Sequence, residues 1–191
     1  KLIDYMIVIC FPAMVGLFCL SKDIVEQFAG KSYSQAYLPL QLLSIALIFA
    51  VFANFFANCV LISYKKEKVV MFATILSAFI NIVLNLILIP VYKENAAALT
   101  TIIAEICVCV ISSYEARKLI KINCTLRNLM TTMLGCVWIG ACCLIVKRNI
   151  ENQIIMLGCA VLLSASVYAL ILYVTKNSVV VELIDHLKKK L

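Results

Sequence analysis

Six stretches of this chain, at about 3–21, 38–63, 69–91, 95–114, 128–146 and 153–175, are apolar around the whole helical circumference. Each is long enough to cross about 30 Å of hydrocarbon at about 1.5 Å per residue. Inside a bilayer no water satisfies backbone N–H and C=O groups, so a crossing segment must be a helix or a strand of a closed barrel. Barrel strands alternate apolar and polar residues over about 10 positions, whereas these runs stay apolar for about 20. The expected fold is therefore all-α and polytopic, with six transmembrane helices. A hydrophobic fraction of 64% agrees, because a soluble domain cannot hide that much apolar surface. The first run contains Asp4, exceeds a signal-peptide core and ends in "FCLSKD", so it reads as a true span.

Polar punctuation separates the runs: "SKDIVEQFAGKSYSQAY", "YKKEK", "YKEN", "EARKLIKINCTLR" and "KRNIEN". The first of these places Ile24, Val25 and Phe28 opposite Asp23, Glu26 and Gln27, a pattern for a short interfacial helix. Pro12 falls inside the first span, where a missing backbone donor favours a kink, while Pro39 and Pro90 fall near span ends. Sorting Lys and Arg by loop puts twelve on the side of Lys1, the second and fourth connections and the tail, against five on the other. The positive-inside rule then places both ends in the cytoplasm. Residues 1–175 form the transmembrane lobe and 176–191 a basic cytoplasmic tail suited to anionic lipid headgroups. The net charge of +7 is accounted for in this way, and no aromatic platform or basic reading helix points to nucleic acid.

Nine of the ten cysteines lie in apolar runs, Cys124 alone lies in a polar loop, and there is no C-x-x-C pair. They read as small hydrophobes. The single histidine, His186, is in the tail, so neither zinc-type spacing nor an intramembrane H-E-x-x-H pair exists, and no span holds a base to activate a Ser or Cys. The five glycines are scattered and make no phosphate-cradling loop. The expectation is a non-enzymatic protein without metal or cofactor.

The informative residues are the polar ones inside the spans. Thr74, Ser77, Asn81 and Asn85 share one face of the third span, and Asn54 and Asn58 lie one turn apart on the second. Such a stripe on a lipid-compatible helix faces protein or a wet cavity, and the amides serve either as interhelical glue or as cavity lining. Glu105 sits midway along the fourth span. The Leu, Ile and Val residues there supply about 3 kcal/mol of insertion energy, and a mid-span acid costs about as much. Neighbours must shield it, or protonation must leave it neutral. It is either a locking acid that holds the fourth span to the third or a proton or cation site. Asp4 lies within about one turn of a membrane face and can reach water. The fifth and sixth spans, with Gly135, Gly140, Gly158, Ala165 and Ala169, read as peripheral packing helices, which leaves the functional surface to the first four.

Two blocks resemble a known family. "FPAMVGLFCLSKDIVEQFAGKSYSQAYLPLQLLSIALIF" (11–49) carries Asp23, Ile24, Val25, Phe28, Gly30, Tyr33 and Ala36, and is similar to the second half of bacterial polysaccharide flippases, the Wzx-like branch of the multidrug/oligosaccharidyl-lipid/polysaccharide exporter superfamily. "NIVLNLILIPVYKENAAALTTIIAE" (81–105) resembles the following hairpin through Asn81, Leu84, Asn85, Leu88, Ile89, Pro90, Ala97, Ala98, Thr100 or Thr101, and Glu105. The family-like glycines after the proline are replaced here by "VYKENAAA". The resemblance implies one C-terminal lobe of a two-lobed transporter working by alternating access in a bacterial plasma (inner) membrane. Its cargo would be undecaprenyl-diphosphate-linked oligosaccharide for surface polysaccharide, with an N-terminal lobe, a polysaccharide polymerase and glycosyltransferases as partners. Asn54, Asn58, Asn81 and Asn85 would line the substrate cavity, and none of the spans brings a mid-span Lys or Arg. The alternatives are a drug or cation antiporter of the same superfamily with Glu105 as coupling acid, and a non-transporting or truncated membrane subunit.

Overall fold

The computed structural model describes residues 2–121 and 125–182. It is all-α: α1 (Leu2–Ala29), a 3₁₀ segment (Lys31–Ala36), α2 (Tyr37–Asn54) continued by a π-helical stretch (Phe55–Leu61), α3 (Glu67–Ala116), α4 (Leu126–Asn149) and α5 (Gln153–Val174). Five helical segments, with α2 and its flanking turns counted as one, are long and apolar enough to cross a membrane. This is a polytopic membrane protein. Cys124, His186 and the basic tail from 183 onward lie outside the described residues.

The sequence gives six runs where the structure counts five helices, because α3 covers two of them. At Lys93 the backbone takes φ 51 and ψ −129, which no α-helix contains. The arms before and after it fold back as a hairpin, with Ser77 Oγ donating to Ala104 O at 3.0 Å and Thr100 Oγ1 donating to Asn85 Oδ1 at 2.7 Å. Small buried residues, Ala73, Ser77, Ala96, Ala98, Thr100 and Ala104, let the two arms approach closely. Pro90 lies three residues ahead of the break, where its missing N–H weakens the last turn.

The chain divides into two compact units, Lys1–Ser34 with Asn123–Leu191, and Gln35–Ile122. In the first unit α1 and α4 run in the same direction. Asp4 accepts from the Thr125 N–H and hydroxyl, both at 3.1 Å, and at the other end Lys147 Nζ donates to Cys19 O and pairs with Asp23, both at 2.6 Å. α5 runs antiparallel to them: Gln153 Nε2 donates to Asp23 O at 3.1 Å and the Tyr168 hydroxyl to Val8 O at 2.7 Å. If every apolar run crosses the bilayer, parallel α1 and α4 need an odd number of crossings between them. A single crossing by α3 would leave two, and a hairpin leaves three.

Two sequence expectations change here. Asp4 is buried, at 6% exposure, and does not reach water. Its carboxylate sits at the start of α4, where the exposed backbone donors of the first turn favour an anion. The amphipathic stretch around Ile24, Val25 and Phe28 is no separate interfacial helix either. α1 continues through Pro12 and on to Ala29, and Gly30 at φ 86 ends it.

The core of the first unit joins Leu20, Ile139, Cys143, Val146, Met156 and Ala160. Cys10, Cys136, Cys142 and Cys143 are buried as free thiols, in keeping with their reading as small hydrophobes. Gly135 is there for contact, since a Cβ at that position would come within 2.6 Å of the Tyr168 ring.

Candidate functional site

In Gln35–Ile122 the mid-span polar residues meet at a cavity of about 470 Å³. Asn54 and Asn58 enter it from α2 and the π stretch, Thr74, Ser77 and Asn81 from the first arm of α3, and Thr101 and Glu105 from the second. Ala53, Ala57, Ala78 and Ala104 supply much of the remaining wall, and these small side chains keep it open. All of the lining residues fall between 35 and 122, within one unit.

A Schellman cap with Lys65 at φ 57 closes α2 and its π-helical continuation through Lys66 N–H to Leu61 O at 2.8 Å. The π stretch before it is local and visible in the bonding, with Ile62 N–H donating to Ala57 O, five residues back, at 3.0 Å. Such widened turns recur at functional sites. Here it carries Asn58, whose Nδ2 donates to Asn54 Oδ1 at 3.0 Å, while Asn54 Nδ2 donates to Ala50 O at 3.1 Å. The two amides form a short ladder along an exposed face.

The stripe on the third span divides by role. Ser77 ties the arms of α3 together through Ala104, and Asn85 does so through Thr100 while donating to Asn81 Oδ1 at 2.7 Å. Asn85 lies outside the polar cavity, against a smaller apolar one with Ile82, Leu86, Ile89 and Pro90. Thr74 and Asn81 face the polar cavity. So glue and lining are both present, on different members of one stripe.

Glu105 is not the lock between the third and fourth spans. Among the described residues it has neither a hydrogen-bond nor an ion-pair partner, and Ser77 and Asn85 make the ties instead. Among the described residues it is the only ionisable carboxyl, amine or guanidinium in the lining. At an effective dielectric constant of 20, a second negative charge about 4 Å from an ionised carboxylate is opposed by about 4 kcal/mol, and a positive one is favoured by as much. Among the described residues no group of three or more His, Cys, Asp or Glu side chains is placed to hold a metal ion.

The first unit holds a second polar cluster that the sequence reading missed. Asn128 and Asn177 are fully buried. Asn128 Nδ2 donates to Ser178 Oγ at 2.6 Å and accepts the Ser178 N–H at 3.3 Å, while Asn177 Nδ2 donates to Thr131 Oγ1 at 2.7 Å and accepts the Val179 N–H at 3.1 Å. Arg127 closes the C-terminus of α5 by donating to Thr175 O at 2.7 Å. The available signal was "TKNS", a turn-forming run directly after the last apolar stretch.

Compared with protein-family models the chain matches none, and compared with curated proteins it likewise gives no match.

Proposed function

We propose that this chain is the C-terminal lobe of a flippase that carries undecaprenyl-diphosphate-linked oligosaccharide across a bacterial plasma membrane by alternating access. The observation that carries the reading is the polar cavity on otherwise lipid-compatible helices, with Asn54, Asn58, Asn81 and Glu105 on its wall. The same helices present Met71, Phe72, Ile75, Phe79, Leu86 and Ile87 outward elsewhere, as lipid contact requires. A polar face of this kind is stable in a bilayer when it meets water or another polar surface, and a second lobe supplies both. The resemblance of residues 11–49 and 81–105 to polysaccharide flippases supports this cargo, and the Lys and Arg distribution supports a cytoplasmic position for both ends of this chain.

The test is a full-length protein carrying Asn54→Ala and Asn58→Ala in a host depleted of its own flippase. The expected result is a loss of surface polysaccharide of about tenfold or more at unchanged protein level. Restoration to the wild-type level would remove these amides from the transport path.

The unpartnered carboxyl of Glu105 favours a second reading, a drug or cation antiporter in which it is the coupling acid. Proton or cation counterflow separates the two: an antiporter coupled through Glu105 shows transport-driven counterflow that Glu105→Gln abolishes, and a flippase that does not couple through this acid shows none that depends on it.

A further inference from the structure

The hydrogen-bond polarity of the cavity wall restricts what it accepts. A backbone carbonyl can only accept, so the Asn54 group facing Ala50 O is its NH₂, and its Oδ1 is left to take the Asn58 NH₂. That leaves Asn58 Oδ1 open to the cavity. Thr74 and Thr101 each give their single proton to a helix carbonyl, Val70 O at 2.9 Å and Ala97 O at 2.8 Å, which leaves only lone pairs facing outward. Both Glu105 oxygens are unpartnered among the described residues. Against these acceptors stand the Asn81 NH₂, since Asn81 Oδ1 is occupied by Asn85, and the second N–H of both Asn54 and Asn58. The wall thus offers acceptors and donors side by side, and among the described residues Glu105 is its one ionisable group.

With Glu105 ionised, such a wall opposes a diphosphate and suits a ligand whose hydroxyls both donate and accept and which carries a positive charge. Size narrows it further. At about 30 Å³ for each water in the liquid, 470 Å³ admits a group of hexose size, and a bare metal ion would leave most of the space to water.

We infer that this cavity seats an amino sugar, a hydroxylated ring carrying a protonated primary amine. The amine pairs with the Glu105 carboxylate, ring hydroxyls donate to Asn58 Oδ1 and the Thr101 oxygen, and Asn81 Nδ2 donates to a ring oxygen. The inference rests on the glycan-flippase reading and specifies it: this lobe reads the sugar, and the diphosphate is held elsewhere.

The test uses the full protein in lipid nanodiscs, with binding of glucosamine, glucose and glucose 1-phosphate followed by saturation-transfer NMR titration. Glucosamine is expected to bind about tenfold or more tightly than glucose, as an ammonium–carboxylate pair over a hydroxyl–carboxylate bond implies, and glucose 1-phosphate more weakly than glucose. Glu105→Gln should bring glucosamine to within about twofold of glucose, and Asn58→Asp, which adds a negative charge to the wall, should widen the preference. Equal binding of glucosamine and glucose by the wild type would overturn the amine assignment and leave a glycan cavity standing. So would a preference that persists in Glu105→Gln, or that does not grow in Asn58→Asp. Saturable binding of none of the three, with stabilisation by sodium chloride over choline chloride, would overturn both the inference and the glycan reading.

Discussion

Asparagine is put to opposite uses in the two units. Asn128 and Asn177, in the unit of α1, α4 and α5, are fully buried, and each both donates and accepts at 2.6 to 3.3 Å. Asn54 and Asn58, in Gln35–Ile122, are exposed and bond only along their own helix, which leaves Asn58 Oδ1 unspent beside a 470 Å³ cavity. A buried amide must be satisfied, because an orphaned one costs about 1–3 kcal/mol. An exposed amide can hold atoms in reserve for a ligand. The difference separates amides spent on packing from amides left open to a cavity.

The largest effect should come from the buried pair. Asn128→Ala leaves the Ser178 backbone N–H and hydroxyl without their partner and should cost about 3 kcal/mol. Denaturant unfolding in detergent, followed by the fluorescence of Trp138, the single tryptophan, measures it. Next comes Gly135→Ala. The new methyl meets the Tyr168 ring, which its hydroxyl bond to Val8 O holds in place, so the cost should be about 2 kcal/mol in the same assay.

On the other side of the comparison, Lys93→Gly should stabilise by about 1 kcal/mol, since φ 51 with ψ −129 strains any side chain. A scan of melting temperature would show the sign, and a fall would mean that the lysine side chain contributes more than its backbone strain removes. The smallest change in stability, within about 0.5 kcal/mol, is expected for Asn54→Ala with Asn58→Ala, although that pair should lose transport. A large loss of stability there would place these amides with Asn128 and Asn177 and erase the distinction.

Much of this was legible in the sequence, for physical reasons. A bilayer demands about 20 apolar residues per crossing, so the six runs stood out, and the i, i+4 spacing of Asn54 with Asn58 and of Asn81 with Asn85 put each pair on one face. Pairing across elements was not legible. That Asp4 would be buried against Thr125 depends on residues about 120 positions apart, a separation no local pattern encodes. Asn128 and Asn177 looked like loop punctuation because they flank apolar runs, and burial is decided by what packs over them. Glu105 looked like a lock because a mid-span acid needs relief. The relief it has is an open cavity, while the small hydroxyl of Ser77 and the Asn85 amide do the tying. The π stretch that carries Asn58 has no composition of its own, since "FFANCVL" reads as ordinary apolar helix.

The central claim is that the cavity-lining amides of Gln35–Ile122 face water in the membrane and that the buried Asn128 and Asn177 of the other unit do not. Thiol accessibility tests it directly. In a background with the ten native cysteines replaced by alanine, Asn81→Cys and Asn128→Cys are each exposed, in native membranes, to a charged methanethiosulfonate reagent. The account predicts modification at position 81 at least about tenfold faster than at position 128, as a thiol ionises and reacts only where water reaches it. Equal rates, or faster modification at position 128, would contradict it.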